Sequence, residues 1–138
     1  RHTRSGYVTG VLTCALPICH TPGTTSFFVE SADENGKKLV WGMHGGVGVN
    51  TMNTDYLNKV HLPLSLQEDF LRGCEEMKAI HVDICTPSHP SHSDMLSRIP
   101  KDRMDYSPFV DDKKWPAFLD ERAESLRKII KAGKYERS

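Results

Sequence analysis

Hydrophobic and polar positions change period several times after His20, and those changes mark out the elements. Thr24 to Ser31 is rich in β-branched and aromatic residues and predicts a strand. Asp33-Glu34-Asn35-Gly36 is a turn signal, and Lys38 to Met43 predicts a second strand, so the pair reads as a hairpin. The run His44 to Asn50, HGGVGVN, leaves that strand as a glycine-rich loop, a composition that lets backbone come close to something. Ser65-Leu66-Gln67-Glu68 has the form of a capping box, with Ser65 at the N-cap, and opens a helix to about Ile80. Leu66, Phe70, Cys74 and Met77 recur at helical spacing and predict its buried face. Val82 to Cys85 predicts a short apolar strand that Thr86-Pro87 ends. SHPSHSD then forms a loop with two histidines, His89 and His92. The last helix is expected near Asp112, with Pro116 in its first turn, an apolar stripe of Trp115, Leu119, Ala123, Leu126 and Ile130, and Gly133 as C-cap. Strands followed by helices that cover one face make the predicted class α/β.

Composition narrows the function classes. The 138 residues are about one domain, and 38% apolar with 26% charged residues is ordinary for a globular chain. Eighteen basic residues balance eighteen acidic ones, and no Lys/Arg cluster stands out, so neither nucleic acid nor an anionic membrane is an expected partner. Cys14, Cys19, Cys74 and Cys85 contain no CxxC pair and are too few for a disulfide scaffold. They leave the compartment open.

The first eighteen residues, RHTRSGYVTGVLTCALPI, show neither clear alternation nor helical spacing. VTGVLTCALPI resembles the peptide obtained when sequencing-adapter DNA is translated. On that reading residues 1–18 are a non-native leader, excluded from the fold, and 19–138 are a partial domain. The alternative is a genuine first strand from Tyr7 to Leu12.

Histidines are the informative candidates for chemistry. His20, His44, His89 and His92 sit at expected strand ends or in loops, where functional side chains concentrate, whereas His2, His61 and His81 do not. Neutral imidazole is a common zinc ligand, and loops at strand ends can bring distant histidines onto one ion. Spacing alone leaves open whether they are ligands or structural.

HTPGTTSFF, from His20 to Phe28, resembles the segment of the metallo-β-lactamase superfamily in which a ligand histidine precedes a Thr-Pro-Gly turn and a strand. LQEDFLRGCEEMKAIHVDICTPSHP resembles that superfamily's next helix, strand and histidine loop, in the same order. The resemblance covers Cys19 to the last helix and is closest to the lactamase-like branch, because Trp41-Gly42-Met43-His44-Gly45 has no bridging Asp after the second strand. It implies the C-terminal half of an αββα sandwich, with His20 as a ligand of a first zinc and His89 of a second. In the intact parent, two zinc ions would generate a hydroxide that hydrolyses a small-molecule substrate at a carbonyl or related group. His44 and His92 are candidate metal or substrate-pocket residues. Asp94 is a candidate to orient a ligand histidine, with a cap on the next turn as the plainer alternative.

The superfamily's remaining ligands lie in an H-x-H-x-D-H motif upstream, and no such motif occurs in this sequence. Two histidines are too few for one catalytic zinc. The resemblance therefore implies a fragment, inactive alone, whose partner is the missing N-terminal half of the same domain and whose isolated sheet exposes an apolar face. Two other readings stay open. One is a thioester hydrolase of the glyoxalase type, disfavoured by the absent bridging Asp. The other is a small α/β binding module with structural histidines.

Overall fold

The computed structural model describes residues 7–14, 24–33, 35–89, 92–103 and 105–133, with backbone alone for 7–14. His20 and the Thr-Pro-Gly turn after it lie outside the described residues, as does Cys19. One sheet, in the order β1-β2-β3-β4, is formed by β1 (Tyr7–Cys14), β2 (Ser26–Ala32), β3 (Lys38–Met43) and β4 (Ile84–Cys85). The first three run antiparallel in sequence, and β4 lies parallel to β3. A strand therefore runs through the segment that adapter resemblance set aside, where the alternative reading expected one. The sequence offered no alternation there, and pairing with β2 along Tyr7↔Ala32 to Cys14↔Ser26 organises it.

The β2–β3 hairpin forms as expected, and its turn is secured by Asp33, whose Oδ1 accepts the N–H groups of Asn35 and Lys37. Side chains alternate across the hairpin. Phe28 pairs with Gly42 and faces the helices, while Phe27 pairs with Met43, Val29 with Trp41 and Ser31 with Leu39 on the opposite side. Gly42 has a packing reason: a Cβ there would sit 2.8 Å from a Val82 methyl and 3.4 Å from the Trp115 ring. Trp115 meets Phe28 edge-to-face at 5.5 Å and donates its indole N–H to the Met77 carbonyl at 2.9 Å.

Three α-helices follow among the described residues. Thr54–Lys59, α1, has no counterpart in the sequence reading; Asn53 caps it by accepting the Tyr56 N–H at 2.8 Å. Ser65–Lys78 is α2, and its buried residues include Leu66, Phe70, Cys74 and Met77 as the spacing predicts. The capping box does not form. The helix starts from Leu64 with no side-chain cap, and the N–H groups of Leu66 and Gln67 are taken by the carbonyls of Pro63 and Leu64. Ser65 is thus the first helical residue, where its hydroxyl can no longer act as cap. Lys114–Ala132 is α3, with Trp115, Leu119, Ala123 and Leu126 buried and Ile130 partly so. Gly133 closes it at φ 64°, a left-handed C-cap that glycine adopts without strain. Among the described residues, no helix is long and apolar enough to cross a membrane.

The glycine loop after β3 approaches the chain itself. A Cβ on Gly45 would meet the Thr25 carbonyl oxygen at 2.0 Å, whereas Gly48 faces open space. Val47 and Val49 from the same loop are buried in the core. Gly45→Ala should therefore destabilise by about 1–3 kcal/mol or more, and Gly48→Ala should be close to neutral or slightly stabilising. Urea denaturation of both variants checks this, and equal costs would contradict the packing described.

Among the described residues, helices cover one side of the sheet. On the other, Phe27, Val29, Leu39, Trp41 and Met43 line an apolar hollow of about 450 Å³, with Phe27 39% exposed. Tyr106 crosses one end by donating to Asp33 Oδ2 at 2.7 Å. A sheet face of this composition is unstable against water. The chain is expected to self-associate or bind a hydrophobic dye, and Phe27→Lys should reduce both; sedimentation velocity and dye fluorescence report the outcome.

Candidate functional site

The histidine loop is placed by β4. Ile84 and Cys85 lie beside Trp41 and Gly42, and the chain leaves the end of β4 through Thr86, whose N–H and Oγ1 both donate to the Gly42 carbonyl at 2.8 and 3.0 Å. Loops at the carboxyl ends of strands in α/β sheets are where ligands gather. The His92 N–H then donates to the His89 carbonyl at 3.0 Å, closing a tight turn. This turn brings the two imidazoles together, with ring centroids 5.1 Å apart at 41°. His89 is exposed and His92 partly buried.

Burial holds the His92 pKa below its ordinary value, and Arg122 and His89 push in the same direction against Glu121. The ring is therefore neutral near pH 7, the form in which imidazole donates a lone pair. Its Nδ1 is buried, with no hydrogen-bond partner among the described residues.

Asp94 does not serve either ring through any hydrogen bond described. One carboxylate oxygen accepts Lys114 Nζ at 2.8 Å and the other accepts Arg98 at 3.1 Å. The Lys114 bond, with the charge of Arg98, holds Asp94 below the usual carboxylate range. Asp94 also precedes the 3-10 turn Met95–Arg98, but its side chain makes no cap there. Its carboxylate is committed to two cations.

His44 lies in the interior. It has no exposed surface, its ring packs against Phe70 at 5.9 Å, and Nδ1 accepts the Gly46 N–H at 3.2 Å. A backbone N–H on Nδ1 places the proton of the neutral ring on Nε2. His44 lines neither the hollow on the open sheet face nor the cavity beside His92, and its contacts with Gly46 and Phe70 join the glycine loop to α2. His81, exposed, meets Asp83 at 3.1 Å, and His61 occupies a left-handed turn at φ 56°.

Cys85 was not singled out by sequence, yet it lines a cavity beside His92. Burial pushes its thiol pKa up to about 11, so it stays protonated and is a poor nucleophile or ligand. Among the described residues, no group of three or more His, Cys, Asp or Glu side chains is placed to hold a metal ion. The donor types suit zinc, but the described donors are too few for a catalytic centre, which takes about three protein ligands and an open position.

No protein-family model matches the chain, and no curated protein matches it. Solved structures do. The native FEZ-1 metallo-β-lactamase from Legionella gormanii superposes with a TM-score of 0.72 at 22% identity, over 95% of this chain and 49% of that one. BJP-1, a subclass B3 metallo-β-lactamase of Bradyrhizobium japonicum, gives 0.71 at 18% identity, over 96% and 50%. The metallo-β-lactamase SMB-1, bound to 2-mercaptoethanesulfonate, gives 0.69 at 18% identity, over 97% and 52%. The chain thus has the metallo-β-lactamase fold and spans about half the length of the solved structures it matches.

Proposed function

We propose that the chain is one part of a zinc-dependent hydrolase of the metallo-β-lactamase fold. It contributes His20 and His89 as ligands, and the remaining ligands come from polypeptide that this sequence does not contain. The reading is carried by the structural likeness, which extends over nearly all of this chain and about half of each matched structure. The position of the His89 turn, at the end of β4 and on the boundary of the sheet, supports it.

The described side chains divide the work that such a site needs. Thr86 fixes the exit from β4, the His89–His92 turn holds two imidazoles with ring centroids 5.1 Å apart, and Asp94 is occupied elsewhere. The hydrolysed group is an ester, amide or thioester carbonyl or a related centre; this fold hosts several such chemistries.

Calorimetric titration of the full chain with zinc tests the assignment. Weak binding is expected, and His20→Ala or His89→Ala should each weaken it by about tenfold or more, as loss of a direct ligand costs at least what loss of its supporting residue does. Zinc uptake that neither substitution alters would overturn the ligand assignment. Turnover of a β-lactam or thioester by the chain alone would overturn its dependence on a second portion.

A further inference from the structure

A cavity of about 270 Å³ opens between the histidine loop and α3, lined by Cys85, His92, Asp94, Arg98, Lys114 and Phe118, with Glu121 at its rim. It is smaller than the roughly 300–1,000 Å³ of drug-sized ligand sites, so it suits a small molecule. One wall is apolar: Phe118 is 6% exposed and Cys85 also 6%. The other wall is charged.

Donors exceed acceptors on the charged wall. Lys114 has three N–H groups and gives one to Asp94. Arg98 gives one Nη2 N–H to Asp94 and one Nη1 N–H to the Pro108 carbonyl, and each of these nitrogens carries a second N–H; its Nε is buried and out of a ligand's reach. The guanidinium also lies over the Phe109 ring at 5.9 Å, so it is held in place rather than free to swing away.

The charge balance selects the ligand. Arg98 and Lys114 oppose Asp94 and Glu121 within the lining, and Arg122, paired to Glu121, adds one further positive charge. The surplus is a single charge. At the Cys85 wall the charges of Arg98 and Lys114 outweigh that of Asp94. A monoanion would neutralise this surplus, whereas a phosphate carrying roughly −1.5 to −2 would overshoot it.

We infer that this cavity is a binding site for a small organic monocarboxylate, its two oxygens taking the spare donors of Lys114 and Arg98 and its short apolar body lying against Phe118. The site goes beyond the zinc reading and does not depend on it. It abuts His92, so an occupant would lie next to the histidine turn without needing a metal.

The test uses metal-free full chain and propionate as probe, followed by two-dimensional amide NMR. Saturable shifts of the Ser93, Lys114 and Phe118 amides are expected, with a dissociation constant on the order of 1 mM, as suits a ligand of a few heavy atoms. Lys114→Gln, on a half-exposed side chain, should weaken binding by about tenfold through loss of one charge-assisted bond. Glu121→Gln should tighten it. Shifts that stay linear in propionate, a Lys114→Gln variant that binds as the parent does, or inorganic phosphate binding as tightly as propionate would each overturn the proposal. Because zinc is absent throughout, none of these outcomes bears on the metal ligands.

Discussion

The histidine side of this molecule depends on how a two-residue strand is held against β3. Two ladder positions cannot by themselves anchor a strand, and β4 is reinforced from outside its own length. Asp83 lends its carboxylate to the Val40 N–H at 2.8 Å and its N–H to the Val40 carbonyl at 2.9 Å, while its carbonyl accepts the Asp111 N–H at 2.8 Å. A hydrogen bond to an ionised acceptor is about twice as strong as a neutral one. One residue therefore ties β3, β4 and the entrance to α3 together. The His89–His92 turn and the cavity beside it take their positions from that knot.

Packing on the helix side follows from the same arrangement. With β4 in place, Val82 and Trp115 press on Gly42, and the absence of a side chain there lets the sheet and α3 come within contact distance. Trp115 in turn fastens α2 to α3 through the Met77 carbonyl, and an exposed link from Lys78 to Asp120 lies nearby. The exposed ion pair adds little. The buried indole does more, because it fills volume and satisfies a carbonyl at a helix end in one contact.

Much of this was legible from periodicity. Lys38–Met43 is a strand with the predicted bounds, and the buried faces of α2 and α3 follow the apolar stripes, since both elements bury a side that local spacing encodes. What was hidden depends on distant partners. The glycine loop reads only as backbone able to come close to something until Thr25 is seen against Gly45, and nothing local shows that Lys114, twenty residues on, takes the Asp94 carboxylate. The capping-box pattern at Ser65 is overridden by a turn that starts the helix at Pro63 and Leu64 carbonyls. The sequence places His89 and His92 in one loop, and the hydrogen bond from the His92 N–H to the His89 carbonyl sets their rings side by side. Cys85 gave no signal, being a small apolar residue by every local measure.

The alternation that puts Phe28 on one side of the hairpin and Val29 on the other also divides the molecule's two tryptophans. Trp115 is 1% exposed in the core, while Trp41 stands half-buried on the open face, its indole N–H on Ser31 Oγ at 2.9 Å. The two faces of one sheet thus carry separate intrinsic fluorophores, a shielded one that reports the helix layer and a wetter one that reports whatever comes to lie across the other side.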